Sequence, residues 1–461
     1  MNKIKLIIFA FAAIMFTSCD DAVDITQPGR FSADAAFQTT DDLRLGLLGA
    51  YNNMDITNVI RFNAVFTDEL SIGFDNGGQN VGLYGHILNS TSGTASSVWN
   101  RSYDAINSTT RLIEASALIT PEEADRDLFN DILGQAHAIR AWAHFMLFTY
   151  YTTDYTNDSA PCVIAVDFVP ELTAELGRNT VAEVLNLINS DLSQADNLLA
   201  AGAADPTFIN RDFVKAIRAR IALYRQDYST ADALAAELIS DYPLANQLAY
   251  INMFHNDNDN TEVIFKLERA IGDSYDNQAT GGGGWAGSLF AFVDPSLSGS
   301  PFMEMGRTLF NLMDEADVRR ATNIHPTSII DPNYATNPNF RDDDILVIQK
   351  YPGSEGQPLM NDIKMFRSSE MVLIRAEAAA ASGDLAGAAN FIKVLRDARF
   401  GGGQPTPSFG SQEEAFKGVL DERRVELCFE GHRWVDLKRL GIRAGASIEL
   451  TIQRISINRS T

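Results

Sequence analysis

Nineteen residues near the C-terminus, ERRVELCFEGHRWVDLKRL (422–440), hold three glutamates, an aspartate, four arginines, a lysine and a histidine. Carboxylates at that density raise the question of acid/base chemistry. A glycosidase needs two carboxyl groups across a scissile bond, one of them with its pKa raised by an apolar setting. The spacing here points elsewhere. Ser411 followed by Glu414 is a capping-box pattern, which predicts a helix from there to about Phe429, with Gly431 relaxing the backbone behind it. Glu422, Glu426 and Glu430 then recur at intervals of four on one face, interleaved with Arg423, Arg424 and Arg433. Neighbouring cations lower carboxylate pKa values and spoil a general acid. Leu427, Phe429, Trp434 and Leu437 sit between the charges. The expectation is a partly buried ion-pair clamp of Glu422, Arg423, Arg424, Glu426, Glu430, Arg433, Trp434 and Asp436, with no catalytic residue among them.

Other chemistry is sparse. His137 and His144 lie seven apart with Arg140 between them and no cysteine nearby, a poor zinc pattern. HNDNDNTE (255–262) invites calcium but lacks the glycine and distal glutamate of an EF-hand loop, so a polar turn is expected and no metal. Neither GxGxxG after a strand, nor GxSxG, nor a P-loop occurs, and no cofactor is expected. A formal net charge of −23 argues against nucleic acid as a partner. Of three cysteines, Cys162 and Cys428 read as buried thiols.

The first residues frame Cys19. Lys3 and Lys5 precede an apolar run from Leu6 to Phe16, too short to span a bilayer and shaped like a secretory signal (1–18). Thr17-Ser18-Cys19 is similar to a lipobox, with phenylalanine where leucine is usual, so Cys19 is the expected lipidation site. Asp20 and Asp21 then open a linker, giving a lipidated N-terminus over 19–40.

The elements that position these residues are mostly helical. Thr180 with Glu183 is another capping box, ahead of an apolar stripe through Val181, Leu185, Ile188, Leu192, Ala195 and Leu199. Ile132, Ala136, Ile139, Ala143, Met146 and Tyr150 make a second stripe. RARIALYRQDYSTADALAAEL (218–238) aligns without a gap on RAEAAAASGDLAGAANFIKVL (375–395), each reading as helix, tight turn, helix, similar to a tetratricopeptide hairpin. A third copy of the first helix starts at Arg140-Ala141. Between the aligned copies the period fades: EVIFKLE reads as a strand, and a glycine-rich, irregular excursion fills approximately 261–360. The expected fold is mainly α, a tetratricopeptide-like scaffold (approximately 41–260 and 361–461) in one domain with a loop-rich insertion and few short strands.

Together the lipobox, TTDDLRLGLLGAYNNM, SVWNRSYDAINSTTRLIE, AHAIRAWAHFMLFTYY, the split hairpin repeat and ERRVELCFEGHRWVDLKRLG resemble the SusD/RagB family, from about Cys19 to the C-terminus. That resemblance implies a surface lipoprotein of the outer membrane, anchored by lipid, without catalytic activity. It implies capture of glycan, or of peptide in the RagB branch, for a SusC-type TonB-dependent transporter. A surface glycoside hydrolase is the rival from another class, and a pure helical-hairpin interaction scaffold is a third. Ligand contacts are sought among exposed aromatics on loops, because sugar C–H faces lie flat on rings. Two stretches qualify: Phe74, Asn76 and Tyr84 in SIGFDNGGQNVGLYGHILNS (71–90), and Tyr275 and Trp285 around four successive glycines. Trp99, Tyr103 and Trp142 are expected in the core.

Overall fold

A computed structural model describes residues 36–73, 76–90, 92–200, 205–272, 284–290, 301 and 303–448. The signal-like segment, Cys19, Phe74 and Tyr275 lie outside the described residues. Within them the fold is mainly α and tetratricopeptide-like.

Helix α1 (Thr40–Asn52) and α2 (Thr57–Phe66) lead into the short strand β1 (Leu70–Ile72). Two long helices, α3 (Gly93–Ser116) and α4 (Arg126–Tyr151), follow and pack on one another. Hairpins of helices come next: α4 with α5 (Val181–Leu198), then α6 (Arg211–Tyr224) with α7 (Tyr228–Asp241). The Thr180 box forms in both directions, its hydroxyl accepting from Glu183 N–H and the Glu183 carboxylate accepting from Thr180 N–H at 2.7 Å. The six apolar residues it introduces, Val181 through Leu199, are all buried. Each such aliphatic side chain withdrawn from water stabilises the fold by about 1.5–3 kcal/mol.

After α8 (Gln247–His255), strand β2 (Val263–Leu267) carries the chain out into the insertion. Strand β3 (Met303–Met305) pairs antiparallel with β1, Ser71 opposite Glu304. Strand β4 (Ile363–Arg367) returns antiparallel to β2, so the insertion leaves and re-enters through one two-stranded ribbon. Every residue of β2 is buried, Lys266 included, rather than alternating; Lys266 Nζ is neutralised by Asp362 at 2.8 Å. The polar turn before it is held by protein groups: Asp257 binds Lys364 and accepts from Asn361 and the Asp362 N–H, both at 3.0 Å.

The second aligned copy, α9 (Ser368–Ser382) and α10 (Leu385–Phe400), stacks directly on the first, with α9 against α7. Its match with α6–α7 extends to detail. Asp227 and Asp384 cap the second helices, accepting from Thr230 and Gly387 N–H. The residues before them, Gln226 and Gly383, both take left-handed φ, 60° and 84°. Arg218 and Arg375 each reach back to an acid on the preceding hairpin, Asp196 on α5 and Asp232 on α7. Arg140, the third candidate, instead binds Asp191 at 2.7 Å on its own partner helix. Helices α11 (Gln412–Glu426) and α12 (Arg433–Leu440) close the stack, α11 lying against α9 and α10. The main apolar core runs from α1 through the ribbon, with a smaller cluster beneath α9, α11 and α12. Cys162 and Cys428 are free and buried.

Candidate functional site

The 422–440 charges are arranged differently from an interleaved helix face. Helix α11 ends at Glu426, three residues earlier than expected, and Phe429 takes φ 61°. Glu430 therefore leaves the helix and its face. Gly431 follows at φ 89°, where a Cβ would press on Val59 Cγ1 of α2 at 3.1 Å. The Ser411 cap accepts from Glu414 N–H, while the Glu414 carboxylate turns to Gly410 N–H at 2.7 Å.

The glutamates of the stretch pair with distant cations rather than with Arg423, Arg424 and Arg433. Glu426 has no exposed surface and binds Arg367 at 2.5 Å, Arg399 at 2.8 Å and Arg319 at 3.2 Å. Glu430 takes Arg367 and Lys350, both at 2.9 Å; Glu422 takes Arg319 at 2.6 Å and Arg396 at 2.7 Å. Glu262, from the polar turn, completes the cluster on Arg367 and Arg399. The arginines of the stretch turn the other way. Arg423 binds Asp436 at 2.8 Å, and Arg433 grips both oxygens of Asp68 at 2.8 Å, with Arg424 beside it at 3.3 Å. The charged residues of the stretch named above are thus buried, and their pairs reach α10, the ribbon, the insertion (Arg319, Lys350) and the α2–β1 junction (Asp68). The remote partners carried no local signal, since spacing reports only neighbours on one helix.

Burial pushes the Glu426 carboxyl up, but Arg399, Arg367 and Arg319 outweigh it and hold it well below the carboxylate range. Glu430 and Asp436 are likewise depressed, burial being overcome by Arg367 and Lys350 for one and by Arg423 and Arg439 for the other. None of these three can carry a proton near neutral pH, and none faces solvent. Glu69 is the exception: burial lifts it to about 8, partly countered by the Phe429 N–H it accepts at 3.2 Å.

The two loop stretches meet at α2. Segment 81–84, a short helical turn, β1 and the turn 286–289 all pack on α2, and Thr57 Oγ1 donates to Gly284 O at 3.3 Å. Asn76 reaches Met303 of β3. The candidate rings among the described residues are not exposed, however. Tyr84 and Trp285 are each only 5 % exposed and Asn76 is equally buried, because these loops fold back onto the core and use their large side chains as anchors. Trp142 is buried, whereas Trp99 and Tyr103 are half-buried, tilted against one another at 4.8 Å, with Trp99 edge-on to Tyr151 at 5.1 Å.

Trp434 takes no part in the ion pairs. It lies half-buried, edge-on to Phe66 at 5.1 Å and to Phe62 at 6.1 Å, its main-chain N–H donating to Asn63. His86 packs edge-on against the same Phe66 ring at 4.8 Å. Neither Phe66 nor His86 stands out in the sequence, since nothing in spacing links residue 66 to 434. Among the described residues no group of three or more His, Cys, Asp or Glu side chains is placed to hold a metal ion.

A model of the SusD family matches residues 275–453, and one described as starch-binding associating with outer membrane matches 37–223. SusD-like protein P38 of Formosa agariphila is 24 % identical over 95 % of this chain and 92 % of its own length; SusD-like protein P2 of the same bacterium is 25 % identical over 95 % and 91 %. Among solved structures, a SusD superfamily protein from Bacteroides thetaiotaomicron superposes with a TM-score of 0.71 at 22 % identity, covering 89 % of this chain and 90 % of that one. A putative sugar binding protein from Bacteroides vulgatus gives 0.72 at 24 % identity, covering 90 % and 89 %. Likeness at that identity concerns the fold.

Proposed function

Because the chain belongs to the SusD family, we propose that it is a cell-surface lipoprotein that captures glycan and delivers it to a SusC-type TonB-dependent transporter. The observation that carries this reading is the convergence of segments 76–90 and 284–290 on α2, beside an α2–β1 junction locked by Arg424 and Arg433. Rigid helices thus present irregular loops at one place, the arrangement a binding site needs. Phe74 and Tyr275 are proposed as ligand contacts, while the buried Asn76, Tyr84 and Trp285 anchor the described parts of the two stretches. A net charge of −23 favours neutral polymers.

The mechanism is binding and release, with no bond broken. The densest set of carboxylates is ion-paired and closed to substrate, with Glu426, Glu430 and Asp436 depressed in pKa, which supports a structural role for it. Anchoring would run through a lipid on Cys19, and the description of the N-terminal family model supports association with the outer membrane. Affinity electrophoresis of residues 20–461 through gels containing neutral polysaccharides tests the reading, with reducing ends assayed in parallel. Retardation without new reducing ends is expected. Release of reducing ends would favour the hydrolase, and retardation only by peptide ligands the RagB-like alternative.

A further inference from the structure

We propose that Phe66, Trp434 and His86 form a carbohydrate-stacking ridge, in which the C–H face of a neutral pyranose lies on the aromatic surface and its hydroxyls meet the two flanking heterocycles. The inference rests on the glycan-binding reading and supplies residues that it lacked.

Four observations carry it. Phe66 and Trp434 remain partly open to solvent and His86 is exposed, so this cluster, unlike Tyr84 and Trp285, offers rings to a ligand. Its polar atoms are placed at the edges. Trp434 Nε1 has no partner among the described residues and is not a sealed orphan, so its N–H is a donor open to water. His86 Nε2 lies 3.1 Å from Phe66 O and must carry the proton to donate there, which in the neutral imidazole leaves Nδ1 as an acceptor. A sugar hydroxyl both donates and accepts, and the ridge presents one group of each kind around a ring face.

The third observation is conformational. His86 holds φ 58°, a left-handed backbone that L side chains adopt seldom, and its ring is fixed by the Phe66 carbonyl and by edge-on packing. Without its side-chain role, that position would suit glycine or asparagine better. The fourth concerns charge. Arg433, next to Trp434, turns inward to both oxygens of Asp68, so the ridge offers that cation to no anionic sugar. Apolar surface continues at Val81, Ile87 and Leu88, all exposed on the same segment as His86. The ridge also sits at the C-terminal end of α2, the helix on which both ligand-side segments converge.

The test uses residues 20–461 and gels containing amylopectin, laminarin, xylan or galactomannan. Trp434→Phe keeps a ring and removes the N–H; His86→Asn keeps the left-handed backbone and removes the imidazole. Each should weaken retention by whichever polysaccharide holds the wild type by about fivefold, the worth of one hydrogen bond, with unchanged melting temperature. In the wild type, that polysaccharide should shield an indole from acrylamide quenching, and Trp434→Phe should abolish the shielding. Wild-type retention with both variants equal to it, or quenching unaltered by bound polysaccharide, would make the ridge mere packing and leave the glycan-binding reading standing. Wild type retained by none of the four would overturn both.

Discussion

Glu426 is surrounded by three guanidinium groups and touches no solvent. Removing its charge leaves Arg367 and Arg399 buried with one fewer anion, so Glu426→Gln should cost about 3–5 kcal/mol in urea unfolding. Glycan retention by the folded fraction should be unchanged. Glu426, Glu430 and Asp436 all have depressed pKa values, so the unfolded chain binds more protons than the native one in acid. Their stabilisation is complete above the ordinary carboxylate range and is lost as pH falls through the depressed native values. Glu69 acts oppositely. Raised to about 8, it stays protonated in the native chain while the unfolded chain ionises, so it lowers stability as pH rises from about 4.5 to 8. Glu69→Gln should therefore raise the melting temperature at pH 8 and change it little at pH 5, the wild type losing up to about 1.4 kcal/mol per pH unit between. The carboxylate chemistry of 422–440 was legible from spacing as a clamp, because alternating signs within an apolar frame exclude a proton donor. Its partners were not, since Glu262, Arg319, Arg367 and Arg399 approach only through the tertiary fold.

At the scale of elements, the two aligned hairpins differ at one informative position. Gly383 and Gln226 occupy the same left-handed turn before a capping aspartate. Gln226→Gly should stabilise the chain and Gly383→Ala destabilise it, each by about 1 kcal/mol, read from paired denaturation midpoints. The turn, the caps and the apolar stripes were visible beforehand because helix periodicity and capping are local. Stacking of α9 on α7 across an intervening insertion was implied by the repeat, since a single hairpin cannot bury its own face. The end of α11 was misplaced because Phe429, an ordinary residue, adopts the left-handed turn instead of extending the helix to itself. The loops proposed to carry ligand were the least legible. Glycine and asparagine marked them as irregular, but aromatic type alone does not distinguish a ring that anchors a loop, such as Trp285, from one left partly open to solvent, such as Trp434.

For the whole molecule, two buried sets of ion pairs tie the 422–440 stretch to its surroundings, Glu426 and Glu430 to Arg319 and Lys350 of the insertion, and Arg424 and Arg433 to Asp68 at the α2–β1 junction. Lipidation is expected to place this unit at the outer membrane. Cys19→Ser should abolish incorporation of radiolabelled palmitate in the native host and release the protein from the outer-membrane fraction. Glycan capture without cleavage is the central claim, and equilibrium dialysis tests it most directly. Residues 20–461 are dialysed against a fluorescent oligosaccharide cut from whichever polysaccharide retards the protein, and the recovered sugar is sized. Saturable uptake with the oligosaccharide recovered at its original length is the predicted result; absence of uptake, or recovery of shorter chains, would contradict the account.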